Sequence, residues 1–157
     1  MNVLYGHTEY VRGWVKSKIA FLEGCDFGPS TALGVMDGQR LVAGVVFHGW
    51  QPMFRAIEIS CAATSPRWAQ RPIIAELLSY PFEQIGVDRV TCATAADDKR
   101  TRRFLEGIGM TLEGIGIAAF GAKDAASYRL LKREWEIGRF HAKEKKNGKE
   151  VRSTRAA

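Results

Sequence analysis

What this chain lacks narrows its function before any motif is considered. No apolar run approaches the roughly 18–20 residues that a membrane-spanning helix requires. Helical channels and transporters are therefore not expected. The first residues, MNVLYGHTEY, hold no basic stretch followed by an apolar one, so no secretory leader is expected and the expected compartment is the cytoplasm. Three cysteines, Cys25, Cys61 and Cys92, stand more than 30 residues apart. That fits neither a disulfide framework nor a CxxC metal site. Cys61 and Cys92 fall in apolar runs and read as buried free thiols. His7, His48 and His141 are scattered without an HxxxH or HxH pair, so no metal is expected. The last scarcity is local: the polar loop at residues 65–71 contains no glycine.

What is present is an ordinary globular composition. At 157 residues, 46% hydrophobic and 25% charged, the chain suits one domain with a real core. Residues 1–135 are expected to form that domain, and 136–157 a basic, flexible tail. The tail carries four of the six net positive charges, so the basic character belongs largely to it.

Hydrophobic spacing gives the element order. Val11, Trp14, Val15, Ile19 and Leu22 make one apolar face of a helix over 7–22, with Arg12 and Lys16 on its wet side. A strand over 31–36 meets Asp37-Gly38, a hairpin signal, and returns over 41–47 as a central strand. A turn at 49–52 leads into a third strand over 53–63. A helix with Ile74, Leu77, Leu78, Phe82 and Ile85 inward follows, divided near Tyr80 by Pro81. Then come a strand over 89–95 and a helix capped by Asp97 or Asp98, with Thr101, Phe104, Leu105 and Ile108 inward. Lys99, Arg100, Arg102 and Arg103 form its basic outer face. Two strands, 111–120 and 127–134, close the fold. This order predicts an α/β (α+β) fold: a mixed, mostly antiparallel central sheet with helices on both faces and a central βαβ crossover.

The most informative stretch is residues 57–78, IEISCAATSPRWAQRPIIAELL, a strand entering a helix through a short loop. Helix starts bind anions because their first N–H groups are unpaired and the dipole is positive there. Within the strand, Ile57, Ile59 and Cys61 point one way, and Glu58 and Ser60 the other. Glu58 is thus a carboxylate in the middle of a sheet, where charge is depleted.

This order, together with DKRTRRFLEGIGMTLEG at 98–114, resembles the GNAT (GCN5-related N-acetyltransferase) superfamily, in particular its ribosomal-protein N-terminal acetyltransferase-like branch. The matching positions are Asp98, Thr101, Phe104, Glu106, Gly109, Met110, Glu113 and Gly114, and YRLLKREW at 128–135 is similar to the family's last strand. The resemblance implies an acetyl-CoA slot between the third strand and the next parallel one. Ala62, Ala63, Arg67, Trp68, Gln70, Arg71, Pro72, Asp98 and Thr101 would be the cofactor-binding residues. The family's pyrophosphate loop is glycine-rich, whereas this one carries Gln70 and Pro72 at the small positions. Asp98 stands where the family has asparagine, and Leu105 where many relatives have a catalytic tyrosine.

The implied activity is direct transfer of an acetyl group to an amine of a protein, peptide or small molecule. Backbone N–H groups near Ala62–Ala63 would polarise the thioester carbonyl, Glu58 would take the amine proton, and Tyr128 or Ser60 would protonate the leaving thiolate. The alternative is a GNAT-fold binding or structural module that has lost catalysis, of a kind found among phage-encoded proteins. Nucleic acid is expected to meet at most non-specific attraction from the tail. A hairpin such as 116–125 offers a route to a homodimer.

Overall fold

The tight turn at Gly38-Gln39 sets the first half of the fold. Gly38 adopts φ +59°, a left-handed conformation that glycine accepts without strain, and Asp37 pairs with Arg40 across the turn. The computed structural model describes residues 1–19 and 26–141. Its elements are β1 (Asn2–Leu4), α1 (Thr8–Lys18), β2 (Ser30–Asp37), β3 (Arg40–Gln51), β4 (Ala56–Ala63), α2 (Arg71–Ser79), β5 (Arg89–Ala95), α3 (Lys99–Gly107), β6 (Thr111–Phe120), β7 (Lys123–Leu131) and α4 (Lys132–Ile137). They form one seven-stranded sheet in the order β1-β2-β3-β4-β5-β7-β6. Among the described residues only β4 and β5 pair in parallel, joined through α2. The expected mixed sheet with a βαβ crossover is observed.

Each face of the sheet has its own core. Val11 and Val15 of α1 pack on Ala32, Leu41 and Val46. A Cβ at Gly44 would lie 2.6 Å from Val15 Cγ2 and 2.9 Å from Val11 Cγ1, so glycine there lets α1 seat closely on β3. The larger cluster, on the opposite face, joins α2, α3 and α4 through Leu77, Phe82, Leu105, Tyr128 and Trp135. Pro81 divides the helix as expected. It supplies no N–H for an ordinary helical bond, and residues 80–85 run on as a wider π turn.

Several boundaries differ from the sequence reading. The third strand does not begin at Met53: β3 continues to Gln51, Pro52–Phe54 forms a 3-10 turn, and Arg55 is left-handed at φ 48° before β4 starts. The last strand ends at Leu131, because Glu134 accepts a hydrogen bond from the Leu131 N–H and the chain turns into α4. The expected domain limit after Trp135 thus falls inside a helix. Beyond it, Arg139 donates to the Gly107 carbonyl at 2.7 Å, and His141 packs edge-on to Trp135. Residues 138–141 are therefore docked on the domain rather than frayed. Leu22, Cys25 and the tail from residue 142 lie outside the described residues.

Candidate active site

The site begins where two parallel strands part. β4 and β5 pair only at Ala56–Arg89, Ile57–Val90 and Glu58–Thr91, yet β4 runs on to Ala63 and β5 to Ala95. Beyond Glu58 the edge of β4 that faces β5 is a row of strand backbone opening onto a gap. Its other edge stays in register with β3 from His48↔Glu58 to Ala43↔Ala63.

Ladder parity shows which N–H groups enter the gap. The Thr64 N–H donates to the Val42 carbonyl at 2.9 Å, on the β3 side. Alternation along a regular antiparallel pair then turns the N–H groups of Ala62 and Ser60 toward β3, and those of Ala63 and Cys61 toward the gap. Of the two residues expected to supply N–H groups, Ala63 turns its N–H to the gap and Ala62 does not, whereas that of Cys61 does.

A cleft of about 520 Å³ lies at the open end of the gap. Its walls include Ala62, Ala63 and Thr64 from the end of β4, Lys18 from the end of α1, and Asp98, Arg100 and Thr101 from the start of α3. Cys61 lies between this cleft and the apolar core, and burial pushes its thiol up to about 11. Near neutral pH it is a protonated thiol, the poorer nucleophile. Cys92 is buried and raised for the same reason.

The glycine-free loop is built to satisfy itself. Ser65 Oγ accepts from the Arg67 N–H at 3.2 Å, the Ala69 N–H donates to Pro66 O, and the Gln70 N–H donates to Trp68 O at 2.7 Å. No residue between 64 and 71 has positive φ, so the backbone here has no need of glycine. Pro72, second in α2, lacks an N–H altogether. An anion reaching this loop would meet fewer backbone donors than a glycine-rich loop presents.

The side chains of the loop diverge. Trp68 is buried against Phe104, with ring centroids 5.5 Å apart, and forms the inner wall of the cleft. Gln70 Nε2 donates to the Arg67 carbonyl at 3.4 Å and lies 3.6 Å from Met1 Sδ. Arg71 Nε donates to the Arg139 carbonyl at 3.0 Å, so its guanidinium holds the C-terminal segment. Arg67 is exposed but does not line the cleft, and neither do Gln70, Arg71 and Pro72; the cations on the cleft wall are Lys18 and Arg100, which the sequence did not single out as site residues.

Asp98 and Thr101 do line the cleft, as expected, but they face each other. Asp98 Oδ1 accepts from the Thr101 N–H at 3.0 Å and Oδ2 from the Thr101 hydroxyl at 2.7 Å. These bonds hold the Asp98 carboxyl below its ordinary range and make it the N-cap of α3.

Glu58 and Tyr128 are not brought together. Glu58 shares a sheet face with Thr91, and Thr91 pairs with Arg129, so Tyr128 projects to the opposite face. Tyr128 is fully buried; its hydroxyl donates to Glu106 Oε1 and accepts from Arg102 Nε, each at 2.9 Å. Arg102 also donates to the Ala96 carbonyl, so it is an internal anchor and not part of a wet basic face. The expected proton-donor role of Tyr128 does not fit this placement.

Glu58 instead is exposed beside a histidine. His48 stands opposite it on β3, half-buried, with Nε2 2.9 Å from Ser60 Oγ. Phe27 packs on the imidazole at 5.1 Å between centroids. A Cβ on Gly49 would be 3.7 Å from Glu58 Oε2, which places that carboxylate over Gly49. Burial lowers the His48 pKa, and the charge of Glu58 works against that shift. His48 escaped the sequence reading because pairing across β3 and β4 depends on a register that no local spacing reveals.

No protein-family model matches the chain, and no curated protein does. Solved structures do. One, described as a probable acetyltransferase, is 25% identical with a TM-score of 0.58, over 69% of this chain and 65% of that one. The chain thus spans slightly under two thirds of that protein's length. The dodecameric spermidine N-acetyltransferase of Vibrio cholerae is 18% identical with a TM-score of 0.60, over 69% and 68%. A chimera of the Vibrio cholerae enzyme SpeG with hSSAT is 14% identical, but has a TM-score of 0.67 over 86% of this chain and 98% of that one. With the strand order above, these likenesses establish a GNAT-like α/β fold.

Proposed function

We propose that this chain is an acetyl-CoA-dependent N-acetyltransferase acting on an amine by direct transfer. The observation that carries the reading is the parting of β4 and β5 after Glu58–Thr91, which opens backbone N–H groups beside a cleft. Acetyl-CoA would supply the activated acetyl group. Lys18 and Arg100 on the cleft wall suit its phosphates, with the exposed Arg67 on the adjoining loop, and Ala62 and Ala63 are small enough to admit its slender arm. The N–H groups of Cys61 and Ala63 would hold the negative charge that develops on the thioester oxygen. Glu58 lies about 10 Å along the strand from Cys61, at ~3.3 Å per residue, and its side chain is exposed where an amine can approach. Its carboxylate would receive the amine proton as the C–N bond forms and the C–S bond breaks; solvent would protonate the thiolate.

The test is acetylation of a panel of amines and peptides by wild type and Glu58→Gln. The Gln variant is expected to lose about 10²–10³-fold in kcat/KM while binding acetyl-CoA within twofold of wild type. Equal turnover by both would remove Glu58 from the chemistry.

A second reading, a GNAT-fold binding module without catalysis, rests on one observation: the loop itself takes up the N–H groups of Arg67, Ala69 and Gln70. It predicts that acetyl-CoA fails to bind even at millimolar concentration.

A further inference from the structure

We propose that His48 and Ser60 form a proton relay that serves the acceptor amine beside Glu58, an inference that rests on the acetyl-transfer reading. Three placements carry it. The Ser60 hydroxyl lies 2.9 Å from His48 Nε2. Ser60 directly precedes Cys61, whose N–H faces the gap, and stands two residues closer to it along β4 than Glu58 does. Glu58 stands opposite His48 on the neighbouring strand, where its negative charge favours an imidazolium.

The steps balance without another reactant. One N–H bond of the ammonium breaks as its proton passes to Ser60 Oγ, and the original Ser60 proton passes to His48 Nε2. The amine is left neutral and nucleophilic, and Ser60 is restored as a hydroxyl. His48 becomes an imidazolium, compensated by Glu58, and later returns its proton to water. Burial disfavours the imidazolium and so biases the resting ring toward the neutral form that a proton acceptor needs. The charged groups around it among the described residues are few. Glu58 faces it from β4. Arg12 of α1 binds Ser30 Oγ at 3.2 Å, and Ser30 is the β2 partner of His48. Asp26 adjoins the stacked Phe27.

The experiment compares wild type, His48→Gln and Ser60→Ala by kcat/KM from pH 5 to 9, acetyl-CoA affinity by calorimetry, and His48 protonation by NMR. Both variants are expected to lose about tenfold or more in kcat/KM at neutral pH and the acid limb of the profile. Acetyl-CoA affinity should stay within twofold. In wild type the His48 resonance should titrate below a free imidazole, and lower still in Glu58→Gln. If wild type acetylates amines and His48→Gln matches it at every pH, the relay is wrong and the acetyl-transfer reading stands. An acetyl group found covalently on Ser60 would also overturn the relay, since Ser60 would then be a nucleophile. If wild type neither binds acetyl-CoA nor acetylates any amine, both fall together.

Discussion

The open stretch of β4 and the loop that follows it meet an incoming molecule in opposite ways. Along the strand, the parting from β5 exposes N–H groups toward the gap, because no neighbouring strand completes the ladder there. Just beyond, the loop at 65–72 closes on itself through Ser65, Pro66 and Trp68 and ends on a proline. One region offers donors to an incoming molecule and the other withholds them. An acetyl group and its slender arm would therefore be gripped by backbone, and the phosphates chiefly by side chains. Side-chain contacts to phosphate are screened by salt, so binding should weaken with ionic strength more than a buried backbone cradle would.

The comparison can be broken most sharply at Glu58. Its conversion to Gln should cost about 10²–10³-fold in kcat/KM without altering acetyl-CoA affinity, separating chemistry on the strand from binding beyond it. Ala63→Phe comes next. A bulky side chain on the cleft wall should raise the Kd for acetyl-CoA at least about tenfold, roughly 1.4 kcal/mol, with little change in Tm because Ala63 is exposed. Unchanged affinity would place the ligand elsewhere.

The loop end is tested by repair. Pro72→Ala restores an N–H in the first turn of α2 and should tighten acetyl-CoA binding about threefold to tenfold, near 1 kcal/mol. A neutral result would mean that phosphate does not visit this helix start. The smallest effect concerns Asp98. Replacing it by Ala removes the α3 cap and should cost about 1 kcal/mol of stability, whereas Asn should preserve most of it. Because the folded carboxyl is held below its unfolded value, the stabilisation is present above the unfolded pKa and is lost as pH falls through the folded one. Melting curves from pH 6 to 2 should show that acid loss in wild type but not in Asp98→Asn.

Much of the fold was legible because its signals are local. The turn at Asp37-Gly38, the break at Pro81 and the alternation around Glu58 each depend on a few neighbouring residues, and each stands as read. The site was legible only in part. Ala63, Asp98 and Thr101 reach the cleft, but Arg71 is drawn to Arg139, 68 residues away in sequence, and Trp68 is claimed by the core. Tyr128 looked available until β5–β7 register set it on the buried face. His48 looked isolated until β3–β4 register set it beside Glu58 and Ser60. Such pairings are set by the register between strands, between neighbours in sequence for His48 and between distant ones for Tyr128, so no local pattern announces them. The docking of residues 138–141 was missed for a related reason: a polar segment can be held by hydrogen bonds such as Arg139 to Gly107 rather than by apolar burial.

On the proposed reading, acetyl-CoA lies in the gap between β4 and β5 despite the closed loop beside it. Calorimetric titration of the purified full chain with acetyl-CoA tests this most directly. Stoichiometric binding in the micromolar range is expected, weakened by added salt and by Ala63→Phe. No heat of binding at millimolar acetyl-CoA would contradict it.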